Sequence, residues 1–493
     1  MDFSVASFED RKIADLLVVP FWKDKGGKLQ LATDEKKLAQ VVSKPLAAGD
    51  FKGKEGEVLM VYMEHEPEKR MALLGLGDKE KITTEILRRA YAAITRICLS
   101  KKLKNINVIV PALSGLSEEN VIRGLGEGLM LANYAFLKHK KETLKENSPV
   151  FVQKTVLIGA QKNVLTLTKK LAIICKGVNL ARDLTNSNAD EITPQYLVEF
   201  SQEIGKKLPV KATFFDKKRI EKEKMGLLLA VNRGSHLDPA VIFLEYRGNP
   251  KSKDHTVVVG KGITYDTGGL NLKTSGMGME NMRIDMGGAA VALLTLQVAA
   301  ELKLPINLTA VVPTTENSIS ATSYKPGDVY TSYTGKTVEI GNTDAEGRLI
   351  LADVLAYVEK NLKPSRIIDF ATLTGGVDIA LGNEATGLMS NNDVLGDLLT
   401  RAGSETYERV WRLPLFEEYK EGLKSDVGDI KNVATRSASS IMGATFLKSF
   451  IGDIPWAHLD IASTAYLSES KRYYPKLATG IGVRLMIEFL EHL

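Results

Sequence analysis

The chain predicts an α/β protein of two domains, each a mostly parallel or mixed sheet flanked by helices, the N-terminal one smaller and the C-terminal one larger. Three observations carry this reading. Apolar β-rich runs alternate with helical patterns almost throughout, the rhythm of strand–helix–strand units. At 493 residues, 44% hydrophobic and 25% charged, the chain is longer than one ordinary core requires. A long helical pattern over residues 164–184 separates two such series.

In the first half, strands are expected at 15–19, 58–62, 71–76, 105–110 and 155–158, where Val, Ile and Leu concentrate. Helices are expected near 84–99 and 118–137. The polar segment 138–148 lacks apolar periodicity and reads as an exposed loop. Domains are therefore drawn at 1–160 and 188–493, with a connecting helix at 161–187. In the second half, strands are expected at 256–259, 308–312, 337–340, 367–371 and 458–461, and helices at 287–302, 349–358, 393–402 and 481–490. There is no internal repeat or low-complexity tract. Polar and glycine-rich material gathers at strand ends, where open parallel sheets place their ligands.

Composition narrows the function less than the motifs do. Sixty-five basic against 60 acidic residues leave +5 on a large surface, which points to no particular partner. Lys138-His139-Lys140-Lys141 and Lys217-Lys218-Arg219 are interleaved with Glu142, Glu146, Glu221 and Glu223, a pattern of solvated helix faces rather than a nucleic-acid patch. No apolar run approaches the roughly 20 residues needed to span a bilayer, and Met1-Asp2-Phe3-Ser4 begins no secretory signal. A cytoplasmic protein without membrane contact is expected. Cys98 and Cys175 each lie in an apolar helix-like segment and read as buried free thiols.

The chemistry concentrates in Asn342-Thr343-Asp344-Ala345-Glu346-Gly347-Arg348-Leu349, between a strand and a helix. On extended chain, residues i and i+2 point the same way, so Asp344 and Glu346 are expected to present both carboxylates to one point. Two close carboxylates repel unless a proton or cation lies between them. Upstream, Gly260-Lys261-Gly262-Ile263-Thr264-Tyr265-Asp266-Thr267-Gly268-Gly269-Leu270-Asn271-Leu272-Lys273 leaves a strand, with neither P-loop nor dinucleotide-binding spacing. Asp285 stands just ahead of the helix at 287, where alone it would only complement the helix dipole. Together the four carboxylates balance two divalent cations, the charge of a two-metal centre. Lys261 could ligate a metal in its neutral form while Lys273 stays charged and holds an oxyanion. Both lysines could equally pair with the surrounding acids.

These residues resemble the cytosolic leucyl aminopeptidases, and the octapeptide Asn342 to Leu349 is that family's signature, intact. The likeness includes Leu180-Ala181-Arg182-Asp183-Leu184, Ala371-Thr372-Leu373-Thr374-Gly375 and Trp456-Ala457-His458-Leu459-Asp460-Ile461-Ala462, so it covers the chain from about residue 175 onward. It implies that residues 188–493 form a catalytic metallopeptidase domain. One metal would be bound by Asp266, Asp344 and Glu346, and a second by Lys261, Asp266, Asp285 and Glu346. Lys273 and Arg348 match the two catalytic positions. A metal-bridging water would attack the peptide carbonyl, Lys273 would stabilise the oxyanion, and Arg348 would hold a bicarbonate as general base. No histidine or spare glutamate in the motifs fills that last role. The substrate's α-amino group would bind a metal, with Asn342, Thr372, Leu373 and Gly375 beside its backbone and Met282, Ala462 and Ala465 near its first side chain. Small and apolar lining suits Leu and similar residues. Zn²⁺ or Mn²⁺, peptide substrates and a homohexamer are further implications of the resemblance. His458 is expected to be packed or hydrogen-bonded rather than metal-bound.

Two departures concern the cleft. The family's Asn-Thr-Pro-like stretch is replaced by Thr185-Asn186-Ser187-Asn188-Ala189-Asp190, and Gly276 and Gly278 lie in the variable loop between Lys273 and Asp285. Neither removes an expected ligand. Two rival readings use the same residues: a two-metal phosphohydrolase or nuclease, and a DNA-binding regulatory protein with secondary peptidase activity.

Overall fold

A computed structural model of the chain describes residues 1–33, 38, 42–64, 67–274, 276 and 278–493. It divides into two compact units, residues 1–176 with 469–476, and residues 177–468 with 477–493.

The first unit is built on β1 (Asp2–Ala6), β2 (Leu16–Lys23), β3 (Leu29–Leu31), β4 (Val58–Tyr62), β5 (Arg70–Asp78), β6 (Asn105–Ile109) and β7 (Lys154–Ile158). They form a sheet in the order β1-β7-β6-β2-β5-β4, parallel except where β4 meets β5, with β3 antiparallel to β2. Both faces are buried, so apolar residues run continuously and alternate in destination. Leu16 and Val18 enter one core with Leu87, Ile94, Leu125 and Leu129 of the helices Thr84–Lys101 and Glu118–Ala132. Leu17, Val19 and Phe21 enter the other. Each such fully buried side chain stabilises the fold by about 1.5–3 kcal/mol.

Helix ends follow local chemistry. Thr83 and Ser117 cap the two helices by accepting from Ile86 N and Asn120 N. The second helix stops at Ala132 rather than continuing to 137, because the Asn133 side chain exchanges two hydrogen bonds with the backbone of Val152. The segment expected as a loop holds a short helix, Lys141–Asn147, supported by an exposed Lys145–Glu142 pair and lacking the apolar face that sequence reading requires.

The second unit contains β8 (Val210–Phe215), β9 (Ala240–Arg247), β10 (Thr256–Gly260), β11 (Gly262–Asp266), β12 (Asn307–Asn317), β13 (Val329–Thr331), β14 (Thr337–Glu339), β15 (Arg366–Ala371), β16 (Thr386–Ser390), β17 (Val410–Arg412), β18 (Ile430–Lys431) and β19 (Trp456–Asp460). The main sheet runs β17-β16-β19-β15-β10-β12-β9-β8, with β11 beside β12. Its centre, β12-β10-β15-β19, is parallel, and antiparallel pairs flank it. The mixed-sheet expectation therefore holds.

Val257 and Val259 of β10 face a core shared with Leu351, Leu355 and Val358 of the helix Gly347–Leu362. The helix Gly287–Glu301 packs against β10, β12 and β15 and is buried nearly all round. With its preceding turn, Met279–Glu301 is long and apolar enough to cross a membrane, contrary to the sequence expectation, but 83% of its apolar window is buried inside the protein. Part of the glycine-rich segment is likewise strand rather than loop, since Ile263, Thr264 and Tyr265 favour extended chain and pair beside β12. Cys98 and Cys175 are buried and form no disulfide among the described residues, and burial with Asp15 nearby pushes Cys98 up to about 12.

Candidate metal centre

Four chain segments meet where the parallel strands end. β11 delivers Asp266 as its last residue, a 3₁₀ turn at Met279–Met286 delivers Asp285, and the turn entering the helix Gly347–Leu362 delivers Asp344 and Glu346. Lys261 lies between β10 and β11. Close approach is possible because Gly288 has no side chain: a Cβ there would sit 2.1 Å from Phe370 O and 2.8 Å from Lys261 N.

The signature is not the extended segment the spacing suggests. Asn342 Oδ1 accepts from Asp344 N at 2.7 Å, folding the backbone into a turn, and Glu346 already has helical φ and ψ. The carboxylates converge nonetheless. Ligand oxygens of Asp266, Asp344 and Glu346 all lie within 4.8 Å of one another.

Both lysines sit among these acids. Lys261 Nζ lies 2.7 Å from Asp285 Oδ1 and 2.8 Å from Glu346 Oε1, and donates to Thr372 O at 2.8 Å. Lys273 Nζ lies 2.9 Å from Asp266 Oδ2 and 2.5 Å from Asp344 Oδ1. Burial opposes charge on either lysine, but the carboxylates outweigh it and hold both well above the usual lysine range. Four carboxylates against two ammonium groups leave two negative charges in excess. Burial and neighbouring acids raise Asp344 to about 7 and push Asp285 well up, while the two lysines overcome burial at Glu346 and bring it to about 2.

Further residues hold this cluster, among them Asn317 and Asn432, which the sequence did not single out. Asn317, the last residue of β12 and fully buried, donates Nδ2 to Asp266 Oδ1 at 2.7 Å and to Thr343 O at 3.0 Å. Gly268 N donates to the same Asp266 oxygen at 2.9 Å. Thr372 Oγ1 donates to Asp285 Oδ1 at 2.7 Å. Asn432 braces the signature turn, its side chain bonding Gly341 N and Asn342 O, and its carbonyl accepting from Arg348 Nη1 at 2.8 Å. Asp460 receives Leu373 N and the Thr374 hydroxyl. The polar run at the end of β12 was the available signal for Asn317; Asn432 lies in irregular chain and left none.

Arg348 is buried, which lowers it to about 10 against the pull of Glu346 and Asp460, and its Nε has no hydrogen-bond partner among the described residues. Thr372, Ile461 and Ala465 gather around Gly287, where a Cβ would stand 3.6, 3.9 and 3.7 Å from them. Met282 and Ala462 are half-buried, and Leu373 turns to the opposite side, against Gly443 and near the Arg348 guanidinium. Asn342 spends its side-chain oxygen on the turn. His458 is fully buried and pairs through Nδ1 with Asp369 at 2.6 Å, the packed and hydrogen-bonded role expected of it.

Comparison with known proteins gives the same direction. The catalytic-domain description of the cytosol aminopeptidase family matches residues 179–487, and its N-terminal domain matches residues 18–143. A probable cytosol aminopeptidase of Protochlamydia amoebophila is 54% identical, covering 100% of this chain and 99% of the relative. One from Chlamydia abortus is 46% identical over 99% and 98% of the two chains. Among solved structures, the bottromycin maturation enzyme BotP, also solved in complex with Mn, superimposes with a TM-score of 0.85 at 27% identity, covering 97% of this chain and 99% of BotP. The chain therefore belongs to the cytosol aminopeptidase family, a metal-dependent family, and is a hydrolytic aminopeptidase.

Proposed function

We propose that this aminopeptidase releases N-terminal Leu and similar apolar residues from peptides with two divalent cations, Zn²⁺ or Mn²⁺, and a bound bicarbonate. The observation that carries this is the convergence of Asp266, Asp344 and Glu346 oxygens, together with Asp285 Oδ2 and Glu346 Oε2, buried without hydrogen-bond partners among the described residues. Buried orphan carboxylate oxygens are expensive unless a cation takes them, so these residues fit metal ions. Asp266, Asp344 and Glu346 would hold one ion, and Lys261, Asp266, Asp285 and Glu346 the other. The two excess negative charges favour a cation there, and binding of the second requires Lys261 in its neutral form. Such ions would supply Lewis acidity to the scissile carbonyl and lower the pKa of the attacking water.

The remaining chemistry falls to side chains. Lys273, which the neighbouring acids hold protonated, would serve the developing oxyanion. Among the described residues Arg348 has a buried donor to spare at Nε, which fits an anion, and a bicarbonate held there would supply the general base. We take Met282, Ala462 and Ala465 as the lining of an apolar recess for the first side chain, since their small or apolar character suits an aliphatic residue. The requirement for a free α-amino group follows from its use as a metal ligand.

Release of leucine from a leucyl peptide, compared with its N-acetylated counterpart and with glutamyl and lysyl analogues, tests the reading. Leucyl turnover with the acetylated peptide inert is expected. Equal cleavage of the acetylated peptide would remove the exopeptidase geometry, and equal rates across first residues would remove the apolar recess. We carry the family's homohexamer and cytosolic location over as part of the same proposal; light scattering checks the former.

A further inference from the structure

Lys273 rides on residues 267–273, a loop that leaves β11 and closes on itself where Lys273 N donates to Thr267 O at 2.9 Å. The loop lies against the signature turn. Gly268 and Gly269 hold φ of 87° and 62°, and a Cβ on them would stand 2.9 Å from Asp344 Oδ1 and 2.9 Å from Thr343 Cβ respectively. The first half of the loop is tied by Thr343 Oγ1, which donates to Gly268 O at 2.6 Å, and by the Gly268 N bond to Asp266. The second half carries Leu270 and Leu272, 44% and 49% exposed, so apolar burial does not hold it down. What joins that half to the signature, among the described residues, is Asn271 together with the ion pairs of Lys273. Asn271 N donates to Thr343 Oγ1 at 2.8 Å, and Asn271 Oδ1 accepts from Thr343 N at 2.8 Å.

Of these two attachments only Asn271 is independent of the proposed cations. The Lys273 ion pairs run to Asp266 and Asp344, and a cation on those acids competes with the ammonium. The Asn271 bonds end instead on Thr343, whose backbone continues directly into Asp344. We propose that Asn271 is a positioning residue that acts through Lys273. Its side-chain clamp on Thr343 fixes how far the ammonium stands from the signature carboxylates, and so how well it meets the developing oxyanion. This inference rests on the role of Lys273 in the proposed function. Thr343 is fully buried, so without the Asn271 carboxamide its N–H needs water drawn between loop and turn. The bonds of Gly268 N and Asn271 N survive that change, and Asp266 keeps Asn317, so the loop loosens at Lys273 while the carboxylates stay in place. Asn271 itself is exposed, and its truncation leaves the core intact.

The experiment uses the Mn²⁺-loaded full-length enzyme with Leu-Ala amide, comparing Asn271→Ala, Asn271→Asp, Lys273→Ala and the double variant Asn271→Ala/Lys273→Ala. Misplacing a catalytic group by about 1 Å costs up to about 100-fold in rate, and a loop that keeps its backbone bonds should lose about tenfold. In Asn271→Ala, kcat falls by that factor while KM and Mn²⁺ affinity, read by chelator competition, stay native. Amides of residues 268–273 exchange hydrogen faster than in the native protein, a readout that needs no turnover. Asn271→Asp keeps the acceptor and recovers both. The double variant is as slow as Lys273→Ala and no slower. Native kcat in Asn271→Ala, a fall in Mn²⁺ affinity in place of kcat, or a double variant about tenfold slower than Lys273→Ala would overturn the assignment. An inactive native enzyme would instead sink the aminopeptidase reading, and native kcat in Lys273→Ala the oxyanion role, each taking this inference with it and each distinct from a silent Asn271.

Discussion

Asn317→Ala tests how far the proposed metal centre depends on a residue behind its carboxylates. Its amide makes two buried hydrogen bonds, one to a carboxylate and one to a carbonyl. Bonds to charged groups contribute about 1.5–3 kcal/mol and neutral ones about 1 kcal/mol. Neither acceptor is stranded by the substitution, since Asp266 Oδ1 keeps Gly268 N and Thr343 O keeps the Tyr324 hydroxyl at 2.7 Å. The loss should therefore sit near the lower end of the range for such supporting partners, about tenfold in metal affinity, with about 2 kcal/mol of folding stability. Competition for Mn²⁺ against a chromophoric chelator reads the first, and thermal unfolding in chelator the second. Asn317→Asp supplies the sign: an acceptor facing Asp266 repels where the amide attracted, and affinity should fall further than in the alanine variant. Native Mn²⁺ affinity in both variants, with stability lowered, would mean that Asp266 is not a ligand held in place by Asn317.

Other consequences are independent of the metal. Asp353→Ala leaves the buried amides of Leu227, Leu228 and Tyr333 without their shared carboxylate, and denaturant unfolding should show a loss of about 3 kcal/mol or more. Asp369→Asn breaks the fully buried pair with His458 at a cost of about 3 kcal/mol and also removes a pH dependence. Burial lowers the His458 pKa but Asp369 overrides it, so the folded value stands above 6.5, and the stability it lends is complete below that pH and lost as pH rises through the folded value. Tm measured from pH 6 upward should carry this decline in the native protein and lose it in the variant. Gly288→Ala drives a Cβ into the Phe370 carbonyl and should prevent folding or lower Tm steeply, whereas Gly375→Ala meets nothing within 4 Å and should fold with native Tm.

The catalytic motifs were legible because metal chemistry needs a narrow set of residue types. Asp266, Asp285, Asp344 and Glu346 stood out as acids at strand ends and helix starts, and the structure brings all four together with both lysines. The reason given for Asp344 and Glu346 was wrong: a turn closed by Asn342, not extended chain, aims them. Alternation of apolar runs gave the sheets, because strands such as β2 and β10 bury both faces. What escaped was set by tertiary contact. Asn133 ends a helix by reaching Val152, Asn432 braces the signature from 84 residues beyond Arg348, and residues 469–476 join the first unit although they follow the whole catalytic motif set. Nothing local in the chain signals such contacts.

The most direct test of the two-metal account is metal content measured against turnover as chelator-stripped enzyme is titrated with Mn²⁺. Leucyl-anilide hydrolysis should be absent without metal and rise to its maximum as about two ions bind per chain, and Glu346→Ala, removing the carboxylate proposed for both ions, should hold neither tightly. Full turnover by the stripped enzyme, or saturation of activity in Glu346→Ala at native metal affinity, would contradict it.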